Sequence, residues 1–241
     1  LVSCCESAGV KVRDIVLEPI ASAEAVLSHD ERELGIGMLD IGGGTTDFAI
    51  YQRGAIRHTH IFPIAGNLFT SDIALCLRTT RSEAERIKKE CATVNPRVEN
   101  LLNTISIKNV DGESIKQVSL QQLSSVVAAR SEELLLLLHH EIEKFHLAAS
   151  MPAGVVITGG GSQLAGLSEQ ATAILDMPVR IGKTRASSSF SEELAHPSYA
   201  TGYGLVLYAL KKEKKEQSAE LTGPMMNRVF WKMKSWIADF F

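Results

Sequence analysis

The sequence has little of what marks a secreted, membrane-spanning or nucleic-acid-binding protein. Its 241 residues include four cysteines, none of them in the CxxC pair of a zinc or redox motif. No apolar run approaches the ~18 residues that a membrane-spanning helix needs. A net charge of −3 gives no reason to expect a nucleic-acid partner. These absences favour a globular cytoplasmic protein with reduced thiols. The adjacent Cys4 and Cys5 could bind a metal or form a redox pair, but inert packing is the simpler interpretation.

The first 65 residues predict a short helix, a strand, a second helix and then a meander of three further strands. The chain begins without Met, in a pattern typical of a helix that ends at Gly9, so we expect a fragment whose N-terminal part is absent. Strands are predicted over 12–17, 34–39, 47–51 and 56–61, and a helix over 21–27. Residues 28–33 are typical of a solvated loop, and Gly54 indicates a hairpin turn.

Residues 66–150 differ in character and predict an inserted subdomain. Helices are expected over 70–79 and 81–92, the second with a capping box made by Ser82 and Glu85. Short strands are expected on either side of a turn at Asp111 and Gly112. The long helix predicted over 119–149 contains five consecutive leucines from Leu134, and because such a run covers every face of a helix, part of it must be buried.

Residues 151–210 return to the α/β pattern, with a strand over 155–158, a second triple glycine, a helix, a strand and a further helix after Pro197. Residues 211–224 are a charged linker with almost nothing to bury. The predicted domains are therefore residues 1–65 together with 151–210, an inserted 66–150, the linker, and a final segment over 225–241.

The first glycine loop has the composition of a phosphate site. Backbone amides that point at one place bind phosphate oxygens well, and glycine permits the close approach. A neighbouring carboxylate can hold Mg²⁺ through water, a role we assign to Asp40, or orient an attacking water. A tight hairpin with a β-bulge is the alternative. The expected contacts are Asp40, Gly42, Gly43, Gly44, Thr45, Thr46 and Asp47.

The second glycine loop is a weaker signal. Gly159, Gly160 and Gly161 follow a buried strand and, with Ser162, lead into a helix. Bare backbone there would let a large flat group pass close by, although a simple turn before a helix has the same composition. Neither loop has the spacing of GxxxxGK[ST] or of GxGxxG.

Four segments in order resemble the nucleotide-binding lobe of the superfamily that contains actin, sugar kinases and heat-shock chaperones. They are LEPIASAEAVL, LDIGGGTTD, VVITGGGSQLAGL and SYATGYGLVLYAL. More narrowly, DERELGIGMLDIGGGTTDFAIYQRGAIRHT, AGNLFTSDIA and SEELAHPSYATGYGLV resemble the FtsA family of bacterial cell-division proteins. The resemblance implies an actin-like, RNase H-like α/β lobe with an inserted α+β subdomain and a C-terminal amphipathic helix.

The resemblance also implies ligands. ATP with Mg²⁺ would bind, and an E-x-x-K arrangement of Glu85, Lys88 and Lys89 would contact ribose and adenine; a solvated helix face is the alternative. The inserted subdomain would bind the C-terminal tail of the tubulin-like protein FtsZ, with Arg130 as a partner-binding residue or simply a solvated arginine. In the superfamily a second lobe completes the site and brings a D-x-G hairpin that binds phosphate. No such hairpin occurs before residue 34 of this sequence, so we expect ATP binding by this chain alone to be weak or absent.

The last sixteen residues, from Met226, predict an amphipathic helix about 24 Å long. Its apolar side chains fall within an arc from about 280 to about 60 degrees, with basic groups beside it. It would lie on an anionic membrane surface rather than cross it; docking on its own domain is the alternative. The expected membrane residues are Val229, Phe230, Lys232, Met233, Lys234, Trp236, Ile237, Phe240 and Phe241.

Two classes of function follow. The first is a membrane-tethered, ATP-binding adapter that self-associates into filaments, anchors the FtsZ ring to the cytoplasmic face of the membrane at the division site and recruits other division proteins, with at most weak ATPase activity. The second is a chaperone-like or sugar-kinase-like ATPase. The linker and short helix after Leu210 favour the adapter, because a chaperone would have a substrate-binding domain there.

Overall fold

The computed structural model describes residues 1–95, 103–184 and 192–215. Within these ranges the strands are β1 Ile36–Ile41, β2 Thr46–Gln52, β3 Ala55–Phe62, β4 Thr104–Lys108, β5 Ile115–Ser119, β6 Val155–Thr158 and β7 Val179–Ile181. The helices are α1 Val2–Ser7, α2 Glu18–Val26, α3 His29–Leu34, α4 Gly66–Cys76, α5 Arg81–Cys91, α6 Leu120–Lys144 and α7 Leu167–Leu175. A last helix, α8, is described over residues 200–215. Short 3-10 turns occupy Ala148–Ser150, Gly160–Gln163, Glu192–Ala195 and Pro197–Tyr199.

The main sheet joins strands from both sides of the inserted block. Its order is β3-β2-β1-β6-β7, with β1 antiparallel to β2 and parallel to β6. The predicted turn between β2 and β3 is confirmed, because Arg53 and Gly54 both have positive φ, 54° and 70°, as a two-residue hairpin requires. The register places Asp40 beside Asp47 on one side and beside Thr158 on the other.

Helices cover both faces of this sheet, which is why every residue of β1 is buried. Phe48 and Ile50 of β2 belong to the larger core, which includes buried residues of α4, α5, α6 and α7. Ala49 and Tyr51 face the opposite way, into a smaller core with the alanine-rich α2. Residues of the inserted block and of the main sheet therefore share one apolar core.

The inserted block has the elements expected from its sequence. Strands β4 and β5 form an antiparallel pair around a turn where Gly112 has φ 77°. In α6, Leu134, Leu135 and Leu138 are fully buried, whereas Leu136 and Leu137 are 50% and 40% exposed. The leucine run is therefore only partly buried, because five consecutive residues cover every face of a helix and one face of α6 is exposed.

Three local predictions are wrong. Residues 12–17 form no strand, and Ile15 and Leu17 are 67% and 64% exposed because no strand lies beside them. Residues 29–34 are helical rather than a loop, since Ser28 and Glu31 form a capping box at the start of α3. Helix α5 is capped by Thr80, not Ser82, because the pattern Thr-x-x-Glu occurs two residues earlier.

The observed boundaries of two further segments differ from the predicted ones. Strand β1 begins at Ile36 and ends at Ile41, two residues later than predicted at each end. Helix α8 includes residues 211–215, the first part of the predicted linker, and Lys211 and Lys212 form ion pairs with Glu24 and Asp14. The rest of the linker and the amphipathic segment over 225–241 lie outside the described residues.

Candidate functional site

The first glycine loop, residues 42–45, projects from the end of the main sheet between β1 and β2. Gly43, Gly44 and Thr45 are exposed, and an added Cβ at Gly44 would have open space around it. The Gly42 amide donates to the Thr45 carbonyl at 3.0 Å. Within the described residues, the amides of Gly43, Gly44 and Thr45 donate to no protein acceptor. The loop thus presents three free donors on an open surface.

The start of helix α4 lies behind this loop. The amide of Gly66 donates to the Gly42 carbonyl at 3.0 Å, and the amide of Asn67 donates to the Gly43 carbonyl at 2.8 Å. The loop carbonyls are therefore satisfied on the side away from the opening. Thr46 faces inward: it is fully buried, and its hydroxyl donates to the Ile64 carbonyl at 2.6 Å, so this predicted ligand does not face the open side.

Carboxylates gather at the same end of the sheet. Asp40 is 2% exposed and accepts a hydrogen bond of 2.5 Å from the Ser22 hydroxyl, which itself lies 3.0 Å from the Thr201 hydroxyl. Burial raises the pKa of Asp40, and the charge of Asp47 raises it further. Burial likewise raises the pKa of Asp47, against the lowering effect of a hydrogen bond from Thr45.

Glu18, the first residue of α2, completes this acidic group. Burial raises its pKa, and the nearby charges of Asp40 and Asp47 raise it further. Three carboxylates with raised pKa values and no bonded Lys or Arg among the described residues would gain from a cation. The described residues include no group of three or more His, Cys, Asp or Glu side chains that could hold a metal ion.

The second glycine loop packs against the end of β1. Gly159 has φ 81°, and a Cβ there would lie 2.3 Å from Asp40 Oδ1. A Cβ at Gly161 would lie 2.3 Å from Ile41 Cγ2, whereas Gly160 is exposed. The Ser162 hydroxyl is buried and donates to the Gly159 carbonyl at 2.7 Å, so of these four predicted residues it is Gly160 that faces open space.

The predicted E-x-x-K residues lie on one side of α5, next to the start of α4. Lys88 Nζ is 2.7 Å from Glu85 Oε2, and Lys89 Nζ is 3.1 Å from Glu85 Oε1. Burial raises the pKa of the Glu85 carboxyl, but hydrogen bonds from Lys88, Thr70 and Lys89 outweigh this effect and lower the pKa to about 2. Glu85 is thus a carboxylate throughout the physiological range.

Arg130, the predicted partner-binding residue, forms ion pairs with carboxylates of this chain. Its guanidinium donates to both carboxylate oxygens of Asp72, at 2.6 and 3.0 Å, and it also pairs with Glu133. The Asp72 hydrogen bonds raise the pKa of Arg130. Arg130 therefore ties α6 to α4, and any contact with a partner would compete with this pair.

Comparison with known proteins decides the family. The family model described as "Cell division protein FtsA" matches residues 37–204. The chain belongs to the FtsA family. The FtsA of Pseudomonas aeruginosa is 39% identical over 240 residues, which cover 97% of this chain and 58% of that protein. The FtsA of Neisseria meningitidis serogroup B is 36% identical, over 99% of this chain and 59% of that protein. The chain thus spans somewhat more than half of the FtsA relatives it matches.

Solved structures show the same actin-like fold as the FtsA resemblance implies. MreB 5 of Spiroplasma citri bound to AMPPNP superposes with a TM-score of 0.74 at 20% identity, covering 90% of this chain and 65% of that one. The MamK double helical filament gives a TM-score of 0.59 at 17% identity, covering 84% and 62%. The predicted fold class is therefore confirmed for the lobe, while the C-terminal helix lies outside the described residues.

Sequence reasoning missed several residues of this site. Glu18, Ser22 and Thr201 surround Asp40, and Asn67 lies beside the first loop. A signal was present, because Glu18 and Ser22 belong to LEPIASAEAVL and Thr201 to SYATGYGLVLYAL, two of the segments on which the resemblance to the actin, sugar-kinase and chaperone superfamily rests. Within the described residues no helix is long and apolar enough to span a bilayer.

Proposed function

We propose that this chain is the nucleotide-binding lobe of a membrane-tethered, actin-like cell-division adapter. The observation that carries the proposal is the open first loop, whose free amides at Gly43, Gly44 and Thr45 lie next to the Asp40 and Asp47 carboxylates. Phosphate oxygens match the amides. A hydrated Mg²⁺ matches the carboxylates, whose pKa values are raised mainly by burial.

Other residues would complete the nucleotide site. Glu85 and Lys89 on α5 would approach the ribose and base, and Gly160 offers bare, exposed backbone on the other side of the site. The AMPPNP-bound MreB 5, a relative in fold, is a longer chain, of which this chain covers 65%. We therefore expect weak binding of Mg·ATP by residues 1–241, saturating only at millimolar concentrations.

Amide chemical shifts test the nucleotide proposal even when affinity is weak. Titration of ¹⁵N-labelled chain with Mg·ATP should move the resonances of Gly43, Gly44 and Thr45 in a saturable way. Gly44→Glu should abolish these shifts, because a carboxylate would stand in the place of a phosphate. Ser125→Glu, which adds the same charge on an exposed face of α6, should leave them intact. Shifts scattered over the surface, or equal loss in both variants, would sink the proposal.

The membrane tether is proposed from the sequence pattern of residues 226–241 alone. An apolar face of Trp, Phe, Ile, Val and Met flanked by Lys232 and Lys234 suits an anionic leaflet, with roughly 1 kcal/mol for each basic group near the surface. Reversible attachment of single subunits would be multiplied by self-association; the MamK relative in fold forms a double helical filament. Attachment would then depend on assembly at the division site.

Liposome flotation tests the tether. The wild-type chain should float with vesicles that contain anionic lipid and should stay at the bottom with neutral ones. Lys232→Glu combined with Lys234→Glu should abolish flotation on anionic vesicles, whereas the same reversals at Lys214 and Lys215 in α8 should weaken it far less. Unchanged flotation after reversal at 232 and 234 would mean that the segment binds elsewhere.

The partner proposal concerns the inserted block. We infer that residues 66–150 bind the C-terminal tail of FtsZ, so that the adapter anchors the FtsZ ring and recruits further division proteins. Support comes from FtsA family membership and from exposed basic groups such as Arg81 and Lys108 on this block. An immobilised FtsZ tail peptide should retain the chain from which residues 226–241 have been deleted, and the deletion separates partner binding from membrane binding. Failure of the peptide to retain this chain would refute the proposal.

A further inference from the structure

The three protons of the Lys88 ammonium are all used inside the protein. Nζ lies 2.9 Å from the Gly66 carbonyl oxygen and 2.9 Å from the Thr70 hydroxyl, and 2.7 Å from Glu85 Oε2. A lysine ammonium has three donors and no acceptor, and this side chain is 17% exposed. No proton remains for a direct hydrogen bond from Lys88 to a ligand.

Gly66 connects Lys88 to the first glycine loop through the two successive peptide groups that it joins. Its carbonyl accepts from Lys88, and its amide donates to the Gly42 carbonyl at 3.0 Å. The next amide, of Asn67, donates to the Gly43 carbonyl at 2.8 Å. In a trans peptide the C=O and the following N–H point in opposite directions. Fixing the Gly42 and Gly43 carbonyls toward α4 therefore turns the amides of Gly43 and Gly44 toward the open side.

Thr70 and Glu85 hold Lys88 in this position. The Thr70 hydroxyl is buried, lies 2.5 Å from Glu85 Oε2 and 3.0 Å from the Gly66 carbonyl. Hydrogen bonds that involve a charged group are about twice as strong as neutral ones. The network therefore fixes the start of α4 more firmly than its backbone bonds alone would.

We infer that Lys88 is a positioning residue, which orients the amides of the first glycine loop through the hydrogen bonds of Gly66 and Asn67. This role differs from the E-x-x-K expectation, in which Lys88 contributes contacts to ribose and adenine. The role of the oriented amides rests on the proposed nucleotide function, whereas the positioning itself is a property of the nucleotide-free chain.

Amide hydrogen exchange in the nucleotide-free chain measures the positioning directly. The Gly66 and Asn67 amides report whether α4 holds the loop carbonyls, because their exchange requires those bonds to open. Lys88→Met should speed exchange of these two amides about tenfold, and the Gly66 carbonyl carbon should change its chemical shift. Lys89→Met, the same change one position along the helix, should alter either rate less than about twofold, because Lys89 donates to neither peptide.

A second pair of variants covers the case in which Lys88→Met unfolds the chain, as judged by the β6 amides of Val156 and Ile157. Thr70→Val should speed exchange at Gly66 and Asn67, and Thr70→Ser, which keeps the hydroxyl, should restore the wild-type rates. Unchanged exchange in Lys88→Met and Thr70→Val, with β6 still protected, overturns the inference.

The nucleotide arm separates this inference from the proposed function. If wild-type chain shows no ATP-dependent shifts while Lys88→Met speeds exchange, the proposed function fails and the positioning of the loop stands. If wild-type chain binds ATP and Lys88→Met weakens binding with exchange unchanged at Gly66 and Asn67, then Lys88 contacts nucleotide directly and the inference is overturned.

Discussion

Gly204 lies where helix α8 packs against the backbone of α2. It is buried in α8, and a Cβ built there would lie 1.8 Å from the Ala21 carbonyl oxygen and 2.4 Å from the Ala21 carbonyl carbon. Non-bonded heavy atoms normally stay about 3.5 Å apart, so Gly204→Ala requires α8 to move away by roughly 1.5 Å. The obstructing atoms belong to the backbone of α2, which cannot rotate aside as a side chain could.

The magnitude follows from two opposing contributions. Overpacking costs about 1–3 kcal/mol, and we expect the upper end because backbone must yield. Alanine in a helix interior gains about 1 kcal/mol over glycine. The net loss should be about 2 kcal/mol, which for a chain of this size lowers Tm by about 4–8 °C. The displacement would also move Thr201 away from the Ser22 hydroxyl beside Asp40.

Gly202, two residues earlier in the same helix, is a matched control. An added Cβ there would have open space around it, so Gly202→Ala should stabilise the chain by about 1 kcal/mol through helix propensity alone. Urea unfolding followed by circular dichroism at pH 7 compares the two variants. If both alanines stabilise the protein equally, α8 does not pack on α2 through Gly204, and the arrangement around Asp40 is wrong.

Two further predictions concern charged groups. Burial raises the pKa of Asp40 in the folded chain above its ordinary 3.8, so its ionisation costs stability as pH rises from about 4 through the folded pKa. Asp40→Asn should therefore be more stable than wild type at pH 7, with the difference shrinking toward pH 4 in urea titrations; a variant less stable at pH 7 would contradict this. Arg130 and Asp72 form a two-pronged pair that is about one quarter exposed, 24% and 22%. A double-mutant cycle with alanine at both positions should give a coupling near 1 kcal/mol, whereas a coupling near zero would indicate that Arg130 is held in reserve for a partner.

Much of the fold could be predicted because its signals are local. The turn at Arg53 and Gly54, the β4–β5 turn at Gly112 and the strand at Val155–Thr158 follow from dihedral preferences and apolar runs that are visible in a few residues. The exposed segment over 12–17 shows the limit. Its apolar composition suits a strand, but a strand needs a hydrogen-bonding neighbour, and that requirement depends on distant parts of the chain.

The candidate site shows the same division. That the glycines and the two aspartates lie together could be predicted from the sequence, because they flank one hairpin; the proposed phosphate and metal binding would require those residue types. The inward direction of Thr46 and Ser162 could not, since it is set by the carbonyls of Ile64 and Gly159 that lie nearby only after folding. Likewise, E-x-x-K spacing predicts that Glu85 and Lys88 share a helix face, but not that Lys88 donates a hydrogen bond to the Gly66 carbonyl.

The central claim is that a metal-bound triphosphate lies between the amides of the first glycine loop and the Asp40 and Asp47 carboxylates. The most direct measurement is paramagnetic broadening of amide resonances by Mn²⁺ with ATP, compared with Mn²⁺ alone. Broadening that requires ATP and is strongest at Gly43, Gly44, Thr45 and Asp47 is the predicted result. Broadening that is centred elsewhere, or that is the same without ATP, would contradict the claim.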